Sequence, residues 1–130
     1  MTTEEMTARP MEDEALVRKI CQILYDKKAR DIMALDVRAM TPICDAMVIA
    51  SGRSTTQVHA LVGEIEDRLK EQGIEPRRAE GVNEARWAVL DYGSILVHVF
   101  HVEERAYYDL ERLWQDGRNE LELTFDQTEL

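Results

Sequence analysis

The sequence predicts a mixed α/β domain, a sheet of parallel and antiparallel strands with helices packed on it. Three observations lead there. Helical and strand-like periodicities alternate in the order α-β-β-α-β-β-β-α. Strands run directly into strands near both ends, so some pairs are antiparallel, while the central helix is long enough to be a crossover. The length of 130 residues suits one compact core and is too short for two ordinary domains.

From Met11 to Lys28 the pattern is helical, with Leu16, Ile20, Ile23 and Leu24 on one apolar face. Pro10 suits the first turn, Glu12 to Glu14 complement the positive end of the dipole, and Lys27 and Lys28 the other. Asp31 to Val37 alternates as a strand does, and Thr41-Pro42 marks a turn. Ala46 to Ala50 is continuously apolar, as in a strand covered on both faces. Ser51-Gly52-Arg53-Ser54 breaks it. Val58, Leu61, Val62, Ile65 and Leu69 then recur at helical spacing, and Gly73 supplies a stop. Pro76 to Glu80 reads as a short extended piece, and Arg86 to Asp91 and Ile95 to His101 as a hairpin around Tyr92-Gly93. Glu103 and Glu104 open a last helix with Tyr107, Leu110, Leu113 and Trp114 on one face.

A Tyr92-Gly93 turn sets Val89 opposite Leu96 and Trp87 opposite His98. Ala88, Leu90, Ile95, Val97 and Val99 then share an aliphatic face that packs on helices. The other face holds Trp87, Val89, Asp91, Leu96, His98 and Phe100. An indole beside an imidazole among aliphatic residues suits a surface for docking a protein. It equally suits a two-sided core with Trp87 covered and His98 hydrogen-bonded in place, and periodicity leaves both open.

The remaining chemistry is sparse. His98 and His101, three apart on a strand, point to opposite faces, and Cys21 and Cys44 have no ligand spacing, so no metal site is expected. Both cysteines read as free thiols among apolar neighbours. The Ser51-Gly52 turn could present amides to a phosphate, giving a nucleotidyltransferase-like enzyme as the rival expectation. That chemistry needs converging carboxylates for Mg²⁺, which Glu75, Glu80 and Glu84 do not supply, so an N-cap at Ser54 or Thr55 is the simpler account. No catalytic residue and no cofactor is expected.

The formal charge of −10 is uneven: residues 1–14 and 115–130 each carry −4, and the body between them −2. The ends, 1–10 and 115–130, read as acidic tails flanking a domain at 11–114. With Arg77-Arg78 its densest basic spot, the body lacks the basic stripe of a nucleic-acid binder. No apolar run approaches the ~20 residues of a membrane span, and the polar start is unlike a signal peptide, so a cytoplasmic protein is expected.

Residues 87–100, WAVLDYGSILVHVF, followed by 104–114, ERAYYDLERLW, resemble the signature half of the ribosomal silencing factor (Iojap-like) family. Residues 28–37 resemble its opening strand, 45–54 its second strand and turn, and Glu80-Gly81 its link before the tryptophan, so the similarity runs from about Leu16 to Trp114. Ser94 and Ala46 depart from it, standing where an Asp and an aromatic residue are usual. The resemblance implies a nucleotidyltransferase-like fold without the catalytic carboxylates. It also implies binding to the large ribosomal subunit through its protein L-fourteen, which obstructs joining of the small subunit and represses translation when nutrients are scarce. The family's tryptophan and histidine match Trp87 and His98. The expected contact set is therefore Trp87, Val89, Leu96 and His98, flanked by Asp91 and Tyr92, with a homodimer through the same face as a further expectation.

Overall fold

A computed structural model of the protein describes Met11 and residues 13–125. The expected elements form in the expected order, with one addition at the end: α1 (Glu14–Asp26), β1 (Arg30–Asp36), β2 (Ala46–Gly52), α2 (Thr55–Lys70), β3 (Arg78–Glu80), β4 (Trp87–Asp91), β5 (Ile95–His101), α3 (Val102–Tyr108) and α4 (Glu111–Trp114). The sheet order is β1-β2-β5-β4-β3. β2 and β5 are parallel, as the α2 crossover allows, and the other pairs are antiparallel. β2 is buried at every position, which explains its unbroken apolar run.

Two apolar layers sandwich the sheet. Val17, Ile20, Cys21 and Leu24 of α1 and Val58, Leu61, Ile65 and Leu69 of α2 pack with Ala88, Leu90, Ile95, Val97 and Val99. These strand residues are the aliphatic face read from alternation. On the opposite side, Leu35, Val37, Met47, Ile49 and Phe100 form a smaller cluster, with Trp87, Leu96, Leu110 and Trp114 against it. Local chemistry bounds α2 at both ends. The Ser54 hydroxyl accepts from the Gln57 amide at 3.0 Å. Gly73, at φ 76°, lets the Ile74 amide return to the Leu69 carbonyl.

The structure differs from expectation in four places. The hairpin turns at Gly93-Ser94, not Tyr92-Gly93: the Tyr92 amide still bonds Ile95, and Gly93, at φ 87°, occupies the first loop position that a type II′ turn reserves for glycine. Register therefore slides by two residues, so Trp87 opposes Phe100 and Val89 opposes His98. Because a slide of two keeps every side chain on its own face, the two faces survive the error.

The last helix is the second difference. It breaks at Asp109, whose φ is 48°. Buried Arg105 bonds Glu111 at 3.2 Å across that break. Six residues along a continuous helix would point the two apart. The single apolar face expected there splits: Leu110 and Trp114 turn inward, while Tyr107 and Leu113 are 82% and 73% exposed.

Third, β1 carries an irregularity between Arg30 and Met33, with Asp31 at φ 50°, so its alternation is imperfect. Fourth, the ordered unit does not end at Trp114. Residues 119–121 run antiparallel along the outer edge of β1, with the Asp36 amide on the Asn119 carbonyl and the Leu121 amide on Ala34, both 2.8 Å. Leu121, Leu123 and Phe125 pack on the larger core, and Phe125 stacks on Tyr25 with ring centroids 4.3 Å apart. The segment expected to be an acidic tail thus pairs with a sheet edge at residues 119–121 and packs on the core as far as Phe125. The acidic stretches 1–10 and 126–130 lie outside the described residues.

Candidate docking face

Trp87 is anchored from three sides. Its ring lies 4.8 Å from that of its cross-strand partner Phe100 and 4.9 Å from Tyr108 of α3. Its indole N–H donates to His98 Nδ1 at 3.1 Å. That bond is diagonal across the strands, because the two-residue slide put Phe100 where His98 was expected. Gly81 supports the backbone here: its φ is 72°, and a Cβ would sit 2.1 Å from the Trp87 carbonyl oxygen, so no other residue fits. The result is a partly exposed aromatic group held by contacts on three sides.

His98 is far less open, at 7% exposed. Burial lowers its pKa from 6.5 to about 4, so the ring is neutral near physiological pH. Its Nε2 is buried with no hydrogen-bond partner. The expectation of a bare Trp87–His98 pair therefore needs correcting: the indole meets solvent, and the imidazole lies almost wholly beneath the surface. The helix α3 covers the β2–β5 side of this face, Leu110 and Trp114 pack against the same cluster, and Val89, Asp91 and Leu96 stay partly exposed.

Beside these three lies a groove of about 160 Å³ completed by Arg78 and Glu80 of β3. Sequence reasoning had set those two aside. The signal was present in the register, since Arg78 opposes Asp91 and Glu80 opposes Val89, but a three-residue edge strand has too little pattern to be aligned. Asp91 fixes the hairpin by accepting from the Gly93 amide at 2.8 Å. Tyr92 falls on the wrong side for the role assigned to it. Pairing continues through Tyr92, so alternation sends its ring to the α1/α2 layer. There burial and the nearby Glu66 carboxylate push its hydroxyl up to about 12. Ser94, at the hairpin tip, donates to Asp13 just before α1, a place where the family's usual Asp would meet a like charge.

The phosphate-binding alternative finds its groups engaged. Ser51 is 1% exposed, and its hydroxyl accepts from Arg105 Nη1 at 2.9 Å. The same guanidinium group donates to the Asp31 carbonyl at 2.6 Å, bridging the β1 irregularity, and Ser54 is consumed as the α2 cap. Among the described residues, His101, Glu103 and Glu104 hold potential ligand atoms within 4.8 Å of one another. Arg86 already pairs with both carboxylates. The buried thiols of Cys21 and Cys44 are held protonated, pushed up by burial to about 12 and about 11. No helix among the described residues is long and apolar enough to cross a membrane.

A family model described as "Ribosomal silencing factor during starvation" matches residues 10–129. The chain belongs to the ribosomal silencing factor family. A ribosomal silencing factor of Bacillus subtilis is 42% identical over 107 residues, covering 82% of this chain and 91% of that one. A crystal structure of a protein from Bacillus halodurans superimposes with a TM-score of 0.75 at 40% identity, covering 85% of this chain and 99% of that one. The family extends to a mouse protein named for mitochondrial assembly of the ribosomal large subunit. It is 33% identical, and the match covers 73% of this chain and 43% of that one.

Proposed function

We propose that this silencing factor binds the large ribosomal subunit through its protein L-fourteen, using the face of Trp87, Val89, Leu96 and His98 with Asp91 at the rim. Bound there, it obstructs joining of the small subunit and represses translation under nutrient limitation. It acts by occupying a surface and catalyses nothing. The observation that carries this reading is the partly exposed Trp87, packed against Phe100 and Tyr108 and hydrogen-bonded to His98. Its ordering entropy is already spent in folding, which favours a binding hot spot over a flexible aromatic group. Half-exposed aliphatic neighbours and a charged rim of Arg78, Glu80 and Asp91 match the usual division of an interface into apolar centre and polar edge. A body carrying −2 with no basic stripe favours a protein contact over rRNA.

Co-sedimentation with purified large subunits tests the proposal, with and without excess small subunits. Wild type should travel with large subunits and reduce subunit joining. Trp87→Ala, verified as folded, should lose about tenfold or more in affinity. Binding by Trp87→Ala equal to wild type would place the docking face elsewhere.

A further inference from the structure

Among the described residues, three side-chain atoms are buried without a hydrogen-bond partner: Tyr92 Oη, Glu111 Oε2 and His98 Nε2. Only the last belongs to the candidate docking face, and its chemistry is fully determined by its neighbour. An indole nitrogen is a donor and nothing else. Since it points at His98 Nδ1, that nitrogen must offer its lone pair. In a neutral ring the remaining proton then sits on Nε2, as a donor. The nearest side chains on this face, set by register, are Ile49 across β2, Val89 across β4, and Leu96 and Phe100 along β5. None of them can accept a hydrogen bond. A buried donor left unpaired is unfavourable, and one held beside an immobilised tryptophan invites a functional reading.

We propose that the docked partner supplies an uncharged oxygen, from a backbone carbonyl, a hydroxyl or a side-chain amide, to His98 Nε2–H. His98 is then a contact that sets the partner's register as well as a support for Trp87. The inference rests on the docking-face reading above. An uncharged acceptor fits better than a carboxylate, because the adjoining groove is net negative, with Glu80 and Asp91 against Arg78, and the imidazole carries no compensating charge. Nε2 is buried, so a partner atom reaches it only if side chains beside it turn aside, and its partly exposed neighbours Leu96 and Val89 are placed to do so, a rotamer change common at interfaces.

Two substitutions separate the two ends of the ring. His98→Asn places an oxygen where Nδ1 was, keeping the acceptor for Trp87 and deleting the distal donor. His98→Gln reaches the Nε2 position with an amide N–H and gives up the acceptor at Nδ1. Binding of the full-length variants to purified large subunits should fall in the order wild type, Gln, Asn, with Asn weaker than wild type by about tenfold. Asn binding as well as or better than Gln, while Trp87→Ala fails to bind, would overturn the proposal and leave the docking face standing. Wild-type binding by Trp87→Ala would remove both. A ¹⁵N spectrum of the free wild-type chain gives a check independent of any variant's folding: the His98 proton should reside on Nε2, and a proton on Nδ1 would end the idea.

Discussion

The buried imidazole should make this fold lose stability in mild acid, before most carboxylates titrate. In the unfolded chain His98 takes up a proton near its ordinary value of 6.5, whereas in the fold it resists until about 4. Between those values the unfolded state binds more protons, so stability falls as pH falls. Each unit of separation is worth about 1.4 kcal/mol, giving about 3 kcal/mol in full, of which about 2 kcal/mol is already lost on going from about pH 8 to about pH 5. The cause is burial, which strips the charged ring of water. Urea unfolding followed by tryptophan fluorescence at several pH values measures the slope. His98→Asn provides the reference, since His59, His101 and all carboxylates are common to both chains. Wild type should lose about 2 kcal/mol more than the variant across that interval. Parallel pH profiles, or a His98 resonance titrating near 6.5, would refute the reasoning.

Two further outcomes follow from the packing. Removing residues 119–130 deletes the edge cover on β1 with the partly buried Leu121, Leu123 and Phe125, so thermal and urea denaturation should show a loss of about 3 kcal/mol. An unchanged midpoint would mean these contacts contribute nothing. Arg105→Met removes the only partner that Ser51 Oγ shows among the described residues and leaves Glu111 without its cation. The expected cost is about 3 kcal/mol by urea titration, accompanied by loosening of α3 and α4 and hence of Tyr108 against Trp87. A cost near zero would show that Met packs as well as the charged group, as happens at some buried ion pairs.

Much of the candidate site was legible because alternation depends only on parity. The separation of Ala88, Leu90, Val97 and Val99 from Trp87, Val89, Leu96 and Phe100 needed no knowledge of the turn beyond its even length. The identity of the pairs did need it. Whether Tyr92-Gly93 or Gly93-Ser94 forms the loop turns on which residue takes a positive φ, and that choice moved Phe100 opposite Trp87 and sent Tyr92 to the other face. The helix after β5 shows the same limit. Its periodicity was genuine, but the Arg105–Glu111 contact and the left-handed Asp109 outweighed local propensity.

By itself, then, the amino-acid order determined the succession of elements, the two faces of the hairpin and the family, since each is written in short-range periodicity or in contiguous motifs. Tertiary structure alone decided that the imidazole is sunk while the tryptophan stays partly exposed, that a buried arginine occupies the serine of the turn, and that the acidic end of the chain pairs with a sheet edge. Solvent access and hydrogen-bond satisfaction depend on groups brought together from distant positions, such as Arg105 against Ser51 and Asn119 against Asp36. No local pattern encodes which of them will meet.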